Sequence, residues 1–530
     1  MGCFRLAMKG LRRTARLFVP VLLLAWAASA PAMARSREID SVAAHLLDDM
    51  KVLASDDFLG RLPGTEGEAR TIKWIARQWF DAGLVSGTND PGHAWFAPVT
   101  LVAREPAGSA VQFQRRQGDR GRVLTVQPGE ALALTSARRA LVEGAPLLFV
   151  GRGTGKLPSR AELAGRVAVL LDRRPGADNA DEPGGAAAAQ GSERQNALLA
   201  AGASAVMTVL DGNRRLESVA ARRRRSGYAL ESDRLGGDLE AFVTAAAMER
   251  LLGSGKDGAK EGSRLAALQA EADRPDFIPR PLDLSASIEA TTRETAIHTH
   301  NVIGRLPGRR PEAGAVLLLA HWDHFGICAQ PPAEHLICNG AIDNASGVAA
   351  LTEIARRLSR LPPMDRDIYF LATTGEELGL LGAEAFAESP PLPLKSILAA
   401  FNLDSVAIAP AGTPLGVVGK GLTPLDAGIA AVARATGRKL SDSAAANTYI
   451  RRQDGWALMR HDLPAVMVTS AYGDVARLER FFDTDYHRPG DVVKPSIELG
   501  GAAEDVLFHV ALVRWFADPR RYPGATAIRR

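Results

Sequence analysis

Residues 315–326 read AVLLLAHWDHFG: six apolar residues that run into His-X-Asp-His and a glycine. A continuous apolar run of that length, opened by Gly314 and closed by polar residues, is the pattern of a short strand buried on both faces. His321, Asp323 and His324 then fall at its C-terminal end. The pattern recurs downstream, in DIYFLATT at 367–374, ILAAFNLD at 397–404 and AVMVT at 465–469. Between the first two strands, Val348, Leu351, Ile354, Ala355 and Leu358 repeat at the helical period over 346–359, and a second helix is expected over 378–388. Alternating strands and helices predict a layered α/β fold with a mostly parallel mixed sheet, whose ligands gather beyond the C-terminal strand ends.

Those ends carry the candidate chemistry. A lone His321 reads most simply as a structural histidine, but Asp323 two residues on is the kind of carboxylate that orients a ligand imidazole. In NGAIDNASG, Asp343 taken alone is a turn or helix-cap aspartate. In LATTGEELG, Glu376 and Glu377 taken alone are surface acids favoured by a helix dipole. Adjacent side chains point apart, however, so the pair can divide two jobs between them. Asp404 closes an apolar strand, where an acid is costly unless it is paired or bound to a metal. His487 lies in the loop DTDYHRPGD, with Asp491 four residues later. Two histidines and three carboxylates, each beyond a strand end, suit a pair of divalent ions with open positions for water and substrate.

Moving outward, residues 40–83 read as two amphipathic helices around LASDDFLGRLPGTEGEA. From about 105 to 290 short strands such as APLLFVG and GRVAVLLDRR alternate with Gly- and Pro-rich turns, and that segment contains no histidine. The basic run ARRRRSG at 221–227 reads as a solvated loop, and PRRYPGATAIRR at 519–530 as a tail.

The first 34 residues run from a basic stretch through VPVLLLAWAASA to AMA, the order of an export signal, too short in its apolar part for a stable membrane anchor. Arg12 and Arg13 leave the route open between the general and the twin-arginine pathways, and Cys3 precedes the apolar segment. Without residues 1–34 the chain carries 59 basic and 60 acidic residues, so the excess basicity belongs to the signal and nothing points to nucleic acid. The protein is expected to be exported, periplasmic or secreted. In such a compartment Cys328 and Cys338, the two cysteines that remain, are expected to form a disulfide.

With these residues identified, the chain resembles the co-catalytic zinc exopeptidases, the family of bacterial leucyl aminopeptidases and glutamate carboxypeptidase. HWDHFG, GAIDNASG, GEELGLLGAEAF, NLD and YHRPGD occur in that family's order, and LASDDFLGRLPGTEGEARTIKWIARQWFDAGL at 53–84 resembles its N-terminal start. The resemblance implies the three-layer zinc-exopeptidase fold and two Zn²⁺ per chain, or other divalent ions. His321 and Asp404 would hold one ion and Glu377 and His487 the other. Asp343 would bridge them, Asp323 would orient His321, and Glu376 would act as general base and then acid. Tyr449 is a candidate donor to the oxyanion, and Arg451 and Arg452 could meet a substrate carboxylate. Residues 105–290 resemble an inserted, β-rich protease-associated domain. It would sit between residues 35–104 and the catalytic 291–518. Peptides are the implied substrates, with an aminopeptidase as the leading reading and a carboxypeptidase or a glutaminyl cyclase of the same fold as alternatives. Two departures stand out: Ile342 occupies a position where the family commonly has a second acid, and a Cys-flanked loop, ICAQPPAEHLICN, separates two ligand motifs.

Overall fold

The computed structural model describes residues 36–89, 95–117, 120–153, 157–172, 194–210, 215–225, 227–232, 238–253, 263–442 and 444–524. The expected signal over 1–34 and the end of the expected tail, 525–530, lie outside them. The chain forms two compact units: one takes the chain up to Val99 and again from His298, and the other runs from Thr100 to Ile297.

In the first unit the sheet is built from the end of β1 (Arg280–Leu306), β2 (Ala315–His321), β3 (Asp367–Thr373), β4 (Ile397–Asn402), β5 (Gly416–Val418) and β6 (Ala465–Thr469), in the order β5-β6-β4-β2-β3-β1. Strands β6, β4, β2 and β3 run parallel, while β5 and β1 pair antiparallel at the two sides. The apolar run that opened the sequence reading is buried along its whole length. Its side chains divide by parity, as a pleated strand requires. Val316, Leu318 and Ala320 join a core with the helix over 36–53, α1 (Glu66–Asp81), α2 (Ser346–Ser359) and, nearer the C-terminus, α5 (Gly500–Phe516). Ala315, Leu317 and Leu319 face the other way, against Phe386 of α3 (Leu381–Glu388) and Leu458 of α4 (Asp454–Arg460). Helices on both faces of a mostly parallel sheet make the three-layer α/β architecture.

Several elements differ from expectation for local reasons. The helix expected from 378 begins at Leu381, because Gly379 and Leu380 have φ of +121° and +63° and hold a turn. Glu376 and Glu377 therefore sit before the helix and not on it. The basic run at 221–227 is helical through Arg225, since Leu216 and Val219 of the same helix are buried. Tyr522, in the expected tail, packs edge-on against Phe516 with ring centres 4.7 Å apart.

The second unit contains a further set of strands. Arg139–Phe149, Val167–Leu171, Ala205–Leu210 and Leu239–Thr244 lie parallel in that order. Ala131–Thr135 and residues 280–291 of β1 pair antiparallel at its two sides. The central strands are buried throughout, and the helices Ala245–Leu252 and Arg264–Ala272 cover one face. No described helix in either unit is long and apolar enough to cross a membrane.

Candidate metal centre

Register brings the ligand candidates together. His321 of β2 pairs with Thr373 of β3, three residues before Glu376. On the other side Leu319 pairs with Asn402 of β4, two residues before Asp404. Three neighbouring parallel strands thus end at one edge, each followed by a titratable side chain. Asp343 reaches the same edge from the loop before α2, and His487 from the segment after the helix Val475–Thr484. Two glycines in these motifs are required by space. A Cβ on Gly340 would lie 2.0 Å from the carbonyl oxygen of Asp343, and one on Gly347 would lie 2.4 Å from that of Leu403.

His321 Nε2 lies 3.2 Å from Asp343 Oδ1, 3.7 Å from Asp404 Oδ1 and 4.0 Å from Glu376 Oε2. His487 Nε2 lies 2.9 Å from Glu377 Oε2 and 3.4 Å from Asp343 Oδ2. Asp343 therefore offers one oxygen to each side. Asp323 stands 3.7 Å from His321 Nδ1 through its carboxylate and 3.2 Å through its carbonyl oxygen. That same carboxylate also accepts the backbone N–H groups of Glu376 (3.2 Å) and Glu377 (3.4 Å), so it holds the glutamate turn as well as facing the imidazole.

The donor set fits divalent cations. Five carboxylates, those of Asp323, Asp343, Glu376, Glu377 and Asp404, are buried or nearly so around the three imidazoles of His321, His324 and His487, a charge imbalance that a low-dielectric interior does not tolerate unpaired. One donor atom each from His321, Asp343 and Asp404 fall within 4.8 Å of one another, and so do those of a second set, His324, Asp343 and Glu377. The buried Nε2 of His487 has no hydrogen-bond partner among the described residues despite its close carboxylates. Burial alone would lower the pKa of His321, but Glu376, Asp323, Asp343 and Asp404 hold it well above the usual range. Glu377 and Asp343 outweigh burial at His487 too and raise it to about 10. A divalent ion would exploit the same negative field and displace those protons. Burial, reinforced by Glu377, Asp404 and Asp454 and opposed by His321, pushes Glu376 well above the carboxylate range.

Several residues at the centre had no assigned role in the sequence reading. His324 Nδ1 lies 2.6 Å from Glu377 Oε1, so Glu377 has an imidazole at each oxygen. The place of His324 directly after Asp323 is its only signal. Asp491 accepts the backbone N–H groups of Ile342 (2.9 Å) and Asp343 (3.0 Å). Asp454 is fully buried, takes the Thr373 hydroxyl, and is pushed up to about 7 by burial. The ring of Tyr449 lies 5.6 Å from that of Tyr472. The phenols whose pKa burial raises, with Asp343 and Glu376 adding to it, belong to Tyr472 and Tyr486, and Tyr486 stacks on His487 at 3.6 Å. The Arg452 guanidinium lies over the rings of Tyr449, Phe482 and Tyr486, and Arg451 over Trp456. Cys328 and Cys338 form a disulfide that closes the loop between two ligand segments.

The three-layer α/β unit thus brings His, Asp and Glu side chains together beyond its parallel strands in sets that could hold metal ions. Residues 301–509 match the family model of Peptidase family M28. The chain is 31% identical over 128 residues to the alkaline phosphatase isozyme conversion protein of Escherichia coli (strain K12), covering 22% of this chain and 36% of that protein. It is 32% identical over 126 residues to aminopeptidase YwaD of Bacillus subtilis (strain 168), covering 23% and 25%. The aligned stretch thus spans well under half the length of either relative. Among solved structures, an aminopeptidase from Aneurinibacillus sp. strain AM-1 aligns over 92% of this chain and 96% of that one, with 18% identity and a TM-score of 0.49.

Proposed function

We propose that this protein is an exported zinc aminopeptidase that holds two divalent ions and removes N-terminal residues from peptides. The observation that carries the proposal is the shared carboxylate: Asp343 lies within 3.2 Å of His321 on one side and 3.4 Å of His487 on the other. His321 and Asp404 would hold one ion, Glu377 and His487 the other, and Asp343 both. The relatives support the reading, since one is named an aminopeptidase and others are named probable zinc metalloproteases.

Zinc bound in such a pair lowers the pKa of water toward 7 and polarises a carbonyl. The remaining work falls to the chain. Glu376, buried and raised in pKa, takes the proton from the attacking water and returns it to the leaving amine. Asp323 fixes both glutamates through their backbone N–H groups. The hydroxyls of Tyr472 and Tyr486 are the candidates to stabilise negative charge on the substrate carbonyl oxygen. With Arg451 and Arg452 engaged by aromatic rings, the reading favours a free N-terminus over a C-terminal carboxylate as the recognised group. The unit Thr100–Ile297 is the inserted protease-associated domain of this proposal, an accessory to the chemistry.

The test is hydrolysis of a panel of amino-acid anilides and peptides, with and without N-terminal acetylation, by zinc-loaded protein. Cleavage of free N-termini alone, abolished by a chelator and restored by Zn²⁺, is the expected outcome. Equal cleavage of acetylated peptides, or release of ammonia from an N-terminal glutamine without peptide cleavage, would sink the proposal.

A further inference from the structure

The N-terminal stretch LASDDFLGRLPGTEGEA takes no part in the chemistry proposed above, yet it sends one side chain beneath the site. Arg61 is 1% exposed. A buried guanidinium is expensive unless all its donors are used, and the usual partner is a carboxylate. Among the described residues Arg61 has no carboxylate partner. It donates instead to backbone carbonyls from three separate segments: Nε to Trp322 (2.8 Å), Nη1 to Leu53 (2.8 Å) and Asn339 (2.5 Å), and Nη2 to Gly340 (2.9 Å).

The identity of those carbonyls matters. Trp322 lies between His321 and Asp323, while Asn339 and Gly340 lead into Asp343. The backbone carbonyl of Arg61 also accepts the N–H of His324 (3.3 Å). The Asp491 carboxylate takes the N–H groups of Ile342 and Asp343, so the loop is held through its carbonyls by Arg61 and through its N–H groups by Asp491. The fit leaves no slack: a Cβ on Gly340 would come 2.8 Å from Arg61 Nη2. A cation that bonds carbonyls adds positive potential under a cluster of acids without occupying any oxygen a metal needs.

We propose that Arg61 is a positioning residue of the metal centre. By bonding Trp322, Asn339 and Gly340 it fixes the spacing between the His321 and Asp343 loops, and zinc affinity therefore depends on its guanidinium. The inference rests on the metallopeptidase reading. Lysine cannot replace it, because one ammonium lacks the planar fork that reaches carbonyls in several directions. Glycine can replace the backbone, because Arg61 has φ +50°.

The test measures Zn²⁺ affinity by competition with a chromophoric chelator for wild type, Arg61→Lys and Arg61→Gly, with circular dichroism as the check on folding. Both variants should fold and bind Zn²⁺ about tenfold or more weakly, as when an outer partner of a metal ligand is removed. Turnover number should fall more than KM changes. Added guanidinium ions should restore Zn²⁺ binding to Arg61→Gly, while sodium chloride at the same ionic strength should not. Variants that bind Zn²⁺ within about twofold of wild type overturn the inference and leave the metallopeptidase reading intact. So do variants that stay unfolded with both Zn²⁺ and guanidinium present, since Arg61 then serves the fold as a whole. A wild type that binds no Zn²⁺ overturns both.

Discussion

The two units bury different things. Among the described residues, the buried polar side chains of Thr100–Ile297 are Thr135, Thr208, Glu240 and Thr292, three of them uncharged. The first unit buries His321, Asp323, His324, Asp343, Asp404, Asp454, Asp491, Asp505 and His509, with Arg61 and Arg366 beside them. Both units have parallel strands sealed on both faces, so the contrast does not come from architecture. One unit accepts the desolvation cost of charge at its strand ends, and the other fills the same kind of interior with Leu, Val, Phe and Met. Buried charge that is concentrated in one unit and, among the described residues, limited to Glu240 in the other marks where the chemistry belongs.

The contrast can be broken most sharply at Glu376. Glu376→Gln keeps every candidate ligand, so Zn²⁺ content should stay at the wild-type level while kcat/KM falls roughly 10²–10⁴-fold. Hydrolysis at wild-type rates in that variant would take the general base away from the first unit's acid cluster. The converse change is Leu147→Ala, at a fully buried position of the second unit. It should cost roughly 2–5 kcal/mol of that unit's stability in denaturant titration and leave Zn²⁺ affinity untouched. A loss of Zn²⁺ binding there would mean that the two units do not divide packing from chemistry.

Smaller effects sharpen the same boundary. Replacing Cys328 and Cys338 by serine opens the loop between two ligand segments and should lower stability by roughly 2–3 kcal/mol, read as a drop in Tm. His509 tests whether buried charge near the sheet but away from the metal centre is costly. Burial holds its pKa near 4 against an ordinary 6.5. A depressed imidazole contributes stability that is complete above about pH 6.5 and is lost as pH falls toward 4. Asp505, raised to about 6 by burial, works in the opposite direction over an overlapping range, so the variant and not the wild-type slope is the readout. Between pH 7 and pH 5, His509→Phe should lose about 2 kcal/mol less stability than wild type. Equal losses would assign the acid sensitivity elsewhere.

How much of this could be read from the chain follows from where each signal is written. The strands of the first unit declare themselves as short apolar runs, and an acid or histidine at the end of such a run is conspicuous because burial there is costly. His321, Asp404 and the Glu376–Glu377 pair are legible for that reason. The turn at Gly379 and Leu380 is not, because a left-handed leucine leaves no compositional trace, and the α3 boundary moved accordingly. Arg61 and Asp491 were invisible as site residues. Each acts through backbone groups, which every residue carries, across separations that no local pattern records. Sequence reasoning points to Tyr449 and finds no signal at Tyr472 or Tyr486, since only tertiary packing decides which phenol the acids influence.

Distance along the chain has a consequence for timing. The contact from Arg61 to the Trp322 carbonyl spans 261 positions, and Asp491 reaches back 148 to Asp343. A polypeptide emerging from its N-terminus therefore carries an incomplete cage until the segment around His487 has been made. On the proposed reading, hydrolytic capacity is withheld through most of synthesis by the order of the residues alone.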